Sequence, residues 1–424
     1  MKARGYKLLI IWRMIVSASE YVSWIEVDLD AIRHNFRHLQ KMAAPAQIIA
    51  VVKSEAYGHG LEPIALTLAE EGAWGFGVVS VDEVERLRAA GITQPIIIIA
   101  PTPGFNAARA IEAKACPAVY DYEFAQDLSR EAVRLGREVE VHIKVDTGMG
   151  RLSIDSEHAV ELALKVAKLP NVKITGIYSH LANADGFDQS YTKIQLQRFT
   201  DCIAGLEQAG FHLPWHHLTA SAGLMAFNKL DFNLTRAGIS LYGLWPSRDL
   251  RLLFTMNHAA TASGMRADDG DDEEAVTSYA ISDLLHPALS FKTRVMQVKS
   301  LPQGSSVSYG CTFTCHRDTR VAVLPIGYAD GYDRHLSNCG EVLVRSRRAP
   351  IMGRVCMNLC MVDVTDIPDV AVDDEVVLLG RQGDDEVSAD EMANRIGTIN
   401  YEVVTRLPMH LPRVYVGRKP SGLQ

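Results

Sequence analysis

The sequence predicts an α/β chain, an N-terminal (β/α)8 barrel of the TIM type followed by a mostly β C-terminal domain. Three observations lead there. From about Trp24 to Leu244, short apolar runs alternate with amphipathic stretches, eight times over about 220 residues, the rhythm of a parallel barrel. The glycine-rich G-x-G-x-x-G turn that opens many doubly wound open sheets is absent. From Ala288 onward the text changes to period-two alternation broken by turns.

Residues 1–23 read as an N-terminal extension. Lys2, Arg4 and Lys7 lead into LLIIW, but Arg13 ends that run well short of the roughly 7–15 apolar residues of a signal peptide. Met14 is an alternative start. Residues 24–247 hold the barrel. Its strands read as IIAVVKS (48–54), GFGVVS (75–80), PIIIIA (95–100), CPAVY (116–120), VEVHIKVD (139–146), VKITGIYSH (172–180), HHLTAS (216–221) and LTRAGISLYG (234–243). VDEVERLRAA, YEFAQDLSREAVRL and SEHAVELALKVAKL supply helices between them, with apolar residues at three- and four-residue steps.

Residues 248–286 break the rhythm. They contain ADDGDDEE (267–274) and read as a solvated acidic insertion, with 250–284 dispensable for folding. Residues 287–424 form the β domain, with strands expected in SFKTRVMQVKSL, RVAVLPIGYADG, EVLVRSRR, VCMNLCMVDV and EVVLLG. SADEMANRIG reads as its helix, opened by a capping box of Ser388 and Glu391.

Composition narrows the function classes. Of 424 residues, 47 % are hydrophobic and 22 % charged, which excludes a disordered chain. A net charge of −8 provides no global basic field for nucleic acid or an anionic membrane. No run approaches the roughly 18 apolar residues of a membrane-spanning helix. Seven cysteines are odd in number and sparse, which points to a reducing, cytoplasmic setting. Cys311 with Cys315 and Cys356 with Cys360 are spaced C-x3-C in strand-like text without a turn glycine. They read as buried strand cysteines rather than a zinc site, so no metal is expected.

Barrel chemistry sits at the C-terminal ends of the strands. There the sequence places Lys53, Lys144 and Arg151, His180, Ser221 and Arg236 on one rim. A lysine closing the apolar run AVVK must lose its charge, pair it or be covalently occupied. The neutral amine can form a Schiff base with an aldehyde cofactor. Ser221 and the backbone N–H groups around Gly238 and Ile239 suit a phosphate at the loops after the last two strands, the usual phosphate corner of a barrel. An amine-bound aldehyde that carries a phosphate is pyridoxal 5′-phosphate (PLP).

AVVKSEAYGHG, KVDTGMGRLS, YSHLANAD, TRAGISLYGL, VSYGCTFT, LPIGYADGY, GRVCMNLCMVDV and INYEVV, in order from about Trp24 to Tyr415, resemble the alanine racemase family. The resemblance implies a PLP-binding barrel and a β domain in a head-to-tail homodimer, where each β domain completes the partner's site. It implies interconversion of L-alanine and D-alanine, supplying D-alanine for peptidoglycan. Lys53 then resembles the cofactor-bearing lysine and one of two acid–base groups, and Tyr309 the opposed tyrosine delivered across the interface. Tyr57, Tyr401, Ser221, Gly238 and Ile239 match phosphate-holding positions. Arg236 resembles the arginine facing the pyridine nitrogen, with His180 bonded to it. Arg151 and Met357 match substrate-binding positions. Lys144 matches a lysine that is often carbamylated and then orients the arginine.

These roles are chemically coherent. Racemisation needs a base on one face of Cα and an acid on the other. An arginine stays protonated, so it cannot hand a proton to the pyridine nitrogen, which limits side reactions. A tyrosine base must form its phenolate, which a cationic Arg236–His180 neighbourhood would favour. The chain departs from the family pattern at Asn358, where Asp is usual, at Glu55, where Asn or Asp is commoner, and at Ala237, where a larger residue is usual. The rival readings are a related barrel decarboxylase, a racemase of serine or basic amino acids, and a PLP-binding barrel without turnover. The first usually has an acid in place of Arg236, and the last lacks a second domain.

Overall fold

The structure is a computed structural model that describes residues 20–227, 232–262 and 284–423. Strand β1 (Ser23–Asp28) runs into helix α1 (Leu29–Ala43), whose N-cap Asp28 accepts the N–H groups of Asp30 and Ala31. The barrel strands are β2 (Gln47–Val51), β3 (Gly75–Val78), β4 (Ile96–Ile98), β5 (Cys116–Val119), β6 (Val139–Asp146), β7 (Val172–Tyr178), β8 (Trp215–Ala220) and β9 (Leu234–Ala237). Each pairs in parallel with the next, and β9 returns to β2, closing the barrel. The main helices outside it are α2 (Leu61–Glu70), α3 (Val81–Ala89), α4 (Ala107–Glu112), α5 (Tyr122–Leu135), α6 (Ala159–Val166), α7 (Ser190–Gln208) and α8 (Ser221–Ala226). Ile49, Ile97, Cys116 and Leu234 pack together near the N-terminal mouth. Trp74 and Trp215 meet edge to face beside them at 4.7 Å, so that end is filled and the open end carries the polar residues.

Most strands are shorter than the sequence suggests. β2 ends at Val51, so Lys53 lies beyond the strand, in a turn. β9 keeps only the first four residues of its expected run, because the chain turns at Gly238 into a short 3₁₀ segment, Ile239–Tyr242.

The second domain contains β10 (Leu289–Arg294), β11 (Gln297–Leu301), β12 (Thr319–Leu324), β13 (Glu341–Val344), β14 (Arg347–Pro350), β15 (Cys360–Asp363), β16 (Glu375–Gln382), β17 (Asp385–Val387) and β18 (Arg413–Val416). One sheet runs β14-β13-β16-β10-β1-β18, with β17 on β16; another runs β11-β12-β15. β1 pairs antiparallel with β10 and parallel with β18. The barrel was expected to begin at Trp24, yet this first strand lies in the second domain's sheet. One apolar core then spans both regions, from Ile25 through Ile64 to Leu411.

The described ends of the stretch 248–286 are not the loop expected. Helix α9 (Arg248–Ala262) occupies its first part. Leu250, Leu284 and Leu285 are buried in the shared core, and Trp245 meets Phe254 edge to face. Excising 250–284 would remove two buried leucines, Leu250 and Leu284, so the ends of the segment are structural; the acidic run 267–274 lies outside the described residues. Two smaller expectations also change. Helix α10 (Ala389–Ile396) has half a capping box: Ser388 Oγ accepts the Glu391 N–H, while the Glu391 carboxylate pairs with Arg348 and Arg395. Cys315 and Cys360 are buried, but Cys311 is exposed on a turn and Cys356 is half-buried ahead of β15. Among the described residues no His, Cys, Asp and Glu cluster could hold a metal, and no helix is long and apolar enough to cross a membrane.

Candidate active site

A cavity of ≈ 360 Å³ opens at the C-terminal mouth of the barrel. It brings together Lys53, Tyr57, Lys144, Arg151 and His180 with Ser221, Arg236, Gly238, Ile239 and Tyr401. Tyr401 comes from the second domain, on helix α11 (Asn400–Thr405). A larger groove of ≈ 620 Å³ lies over α1, lined by Arg33, Arg37 and Lys41 among others, but none of the expected site residues reaches it.

Lys53 opens a turn in which Ser54, Glu55, Ala56 and Tyr57 all have φ between 52° and 55°. Left-handed backbone costs an L-residue roughly 1–2 kcal/mol each, so the turn must be held from outside. Gly58 and Gly60 donate back to the carbonyls of Ser54 and Glu55. The Glu83 carboxylate accepts the Ser54 N–H at 2.7 Å and the Val79 N–H at 2.8 Å. Arg86 grips Glu55 and Glu62, which gives the Glu55 departure a physical basis. Burial and the Arg151 charge lower the Lys53 pKa, against the opposing charge of Glu83, and so favour its neutral amine.

Arg236 is buried beneath the cavity and donates to five acceptors. Nη1 reaches His217 Nδ1 at 2.7 Å and His217 O at 3.0 Å. Nη2 reaches Ser179 O at 2.6 Å, Leu218 O at 2.9 Å and His180 Nδ1 at 3.2 Å. A guanidinium only donates, so both imidazoles must accept at Nδ1. His217 therefore carries its proton on Nε2 and passes it as a hydrogen bond to His142 Nδ1, 2.9 Å away. His142 itself leans over Gly176, where a Cβ would come within 2.7 Å of the ring. Tyr178 stacks on His217 at 4.6 Å and also lies under the guanidinium. Burial brings the arginine down only to about 10, so it stays protonated at neutral pH.

His180 does not add to the positive charge. Burial, then the charge of Arg236, pushes it down to about 3, so the cationic Arg236–His180 pair expected from the sequence is a cation beside a neutral imidazole. Lys144 falls to about 8 through burial and the charges of Arg151 and Arg236, which leaves part of its amine unprotonated near neutrality. It sits opposite Tyr178 across β6 and β7.

On the far side of the cavity, Ser221 Oγ accepts the Gly238 N–H at 2.8 Å. A Cβ at Gly238 would come within 2.8 Å of the Tyr57 hydroxyl, so glycine keeps this corner open. The rings of Tyr57 and Tyr401 lie 6.3 Å apart, and burial raises the pKa of both, keeping their hydroxyls as donors.

Tyr309 and Met357 do not join this cavity within the chain. Tyr309 is 69 % exposed and Met357 56 % exposed, both on the second domain. The Tyr309 turn is tied to the chain at Arg354, whose carbonyl accepts the Ser308 hydroxyl at 2.6 Å.

Glu83, His142, Tyr178 and His217 were missed by sequence reasoning. For two of them a signal exists. Period two puts His217 on the face of Thr219 and Ser221, and His142 on the face of Lys144.

The buried imidazoles predict a pH dependence of stability. Their folded pKa values are depressed: His142 and His180 to about 3, His59 to about 4, and His217 well below its usual value. As pH falls below about 6.5 the unfolded chain takes up protons that the native chain does not, so stability drops, and each imidazole costs roughly 1 kcal/mol per pH unit until its folded pKa is reached. Urea denaturation should give a clearly lower midpoint at pH 5.5 than at pH 7.5. Equal midpoints would mean that these rings are not neutral in the fold.

Comparison with known proteins agrees with this geometry. The family description "Alanine racemase, N-terminal domain" matches residues 27–246, and "Alanine racemase, C-terminal domain" matches residues 288–415. The chain is 39 % identical over 416 residues to the alanine racemase of Desulfosudis oleivorans, covering 96 % of this chain and 100 % of that one. It is 40 % identical over 395 residues to that of Halothermothrix orenii, covering 93 % and 96 %. The solved alanine racemase of Clostridium difficile 630 superposes with a TM-score of 0.83 at 31 % identity, over 94 % of this chain and 97 % of that one. The chain belongs to the alanine racemase family of enzymes.

Proposed function

We propose that this enzyme interconverts L-alanine and D-alanine with PLP, acts as a cytoplasmic homodimer with shared active sites, and supplies D-alanine for peptidoglycan. The observation that carries the reading is the meeting, in one cavity, of a lysine whose pKa is lowered with an arginine that stays protonated. The residues fit PLP: Gly238 leaves open a corner bordered by Ser221 and Tyr57, which suits a phosphate. When bound, PLP supplies the electron sink that acidifies the alanine Cα proton.

The chain's own groups do the rest. Ser221, Gly238, Ile239, Tyr57 and Tyr401 would hold the phosphate. Arg236, oriented by His180 and His217, would be the cation that meets the pyridine nitrogen of bound PLP. Arg151 binds the alanine carboxylate, and carbamylated Lys144 would steady it. Lys53 would carry the cofactor and move the Cα proton on one face. Tyr309 of the second subunit moves it on the other face, with the Met357 backbone beside it. The exposure of Tyr309 and Met357 supports this sharing, since both side chains are available to another chain.

The test is an absorbance spectrum of the purified protein, racemisation assays over a panel of amino acids, and borohydride reduction followed by peptide mapping. A cofactor band, turnover of alanine above serine and basic amino acids, and a pyridoxyl group on Lys53 are expected. A pyridoxyl group on another lysine, or preference for another amino acid, would overturn the reading.

A further inference from the structure

We infer that Glu83 is a positioning residue for Lys53: its buried carboxylate bridges the ends of β2 and β3 and holds the left-handed turn that aims the lysine into the cavity. Glu83 stands three residues after the helix cap, where Ser80 Oγ accepts its own N–H at 3.2 Å, so its backbone is pinned. One carboxylate oxygen takes the N–H of Ser54, the residue next to Lys53. The other takes the N–H of Val79, directly after β3. Val52, on the other side of Lys53, donates to Gly77 O in β3. The lysine is therefore flanked by two links to the same neighbouring strand end, one of them through Glu83.

The turn needs such a link. Ser54 to Tyr57 are all left-handed and none is glycine or asparagine, so local preference opposes the conformation. A carboxylate that accepts two backbone N–H groups is a strong, charge-assisted clamp. Glu83 also bears on the charge of its neighbour, against the larger effects of burial and Arg151. Arg151 disfavours the protonated form of Lys53, whereas Glu83 favours it. Its pull works toward an amine that can take up a proton as well as release one, which a two-way proton carrier requires. The inference rests on Lys53 being the cofactor lysine, but the turn can be read without that assumption.

The experiment compares the full-length protein with Glu83→Gln and Glu83→Asp. Gln preserves size but loses the charge, and turns an NH₂ toward one of the two backbone donors. Asp keeps the charge but is too short to bridge both. Hydrogen exchange of Ser54–Tyr57 should quicken by about tenfold or more in both variants, with the other barrel strands unchanged. The pH midpoint of Lys53 acetylation, measured by mass spectrometry on full-length chain freed of any bound cofactor, should move to lower pH in Gln and stay near wild type in Asp. The alanine kcat should fall in both while KM changes little.

Unchanged exchange in the turn, or exchange that quickens uniformly over the barrel, would overturn the positioning role. A Lys53 midpoint unmoved in Gln would overturn the charge role. Should the Gln variant not fold, exchange of the Ser54 amide in the Asp variant decides the matter. Failure of the cofactor reading would show instead as no pyridoxyl group on Lys53, leaving the turn measurements intact.

Discussion

Tyr309→Phe is expected to lower racemisation by about 10²–10⁴-fold, the usual contribution of a general acid–base group, while the protein still folds and retains its cofactor. The substitution removes one oxygen from a side chain that is 69 % exposed within its own chain, so folding has little reason to suffer. Lys53, on the opposite face of Cα, would remain. In deuterated water, exchange of the Cα proton should therefore persist preferentially from D-alanine, the enantiomer assigned to Lys53 by family resemblance. Because Tyr309 is assigned to the partner's site, mixed dimers of Lys53→Ala and Tyr309→Phe chains should regain activity, one site intact and the other doubly damaged. No recovery in verified mixed dimers would refute the shared site. Equal residual exchange from both enantiomers would refute the two-base assignment.

Arg236→Met is expected to be the most damaging single change in the barrel. It would leave three backbone carbonyls and two imidazole nitrogens facing a side chain that cannot donate. Each buried acceptor left without a donor costs about 1–3 kcal/mol, and five lose theirs together. The unfolding midpoint in urea should fall sharply, and activity should be lost with it. Arg236→Lys separates stability from chemistry. An ammonium has three donors for five acceptors, so part of the loss should remain. Unlike a guanidinium, it can release a proton toward the pyridine nitrogen. Pyruvate formed per racemisation event should rise. A Lys variant that matches wild type in both stability and pyruvate yield would show that the guanidinium has no special role.

The sequence was most legible where the decisive information is local. Strand β6 spans Val139–Asp146 as expected, because VEVHIKVD is a β-branched run whose end is marked by the glycine turn that follows. The rim residues Lys53, Lys144, His180, Ser221 and Arg236 were placed by a single rule, that barrel chemistry gathers where strands end; the cavity contains all of them. Composition excluded whole function classes before any contact was known.

What the tertiary structure alone decided depends on partners far apart in the chain. The first strand reads like the start of the barrel, yet its edges are completed by β10 and β18, more than 250 residues away, so its sheet could not be read from its own pattern. Residues 248–262 read as the start of an acidic loop, but a pocket for Leu250 in the shared core makes them a helix. The protonation of His180 was misjudged because burial, invisible in YSHL, joins the charge of the Arg236 already expected beside it to hold the imidazole neutral. Glu83 reads as one more surface acid on an amphipathic helix. Only the arrival of the Ser54 N–H from 29 residues earlier makes it a clamp. Period and residue type are properties of a short segment and survive in the sequence. Charge state, strand partner and hydrogen-bond acceptor are properties of a neighbourhood, and the neighbourhood exists only once the chain has closed.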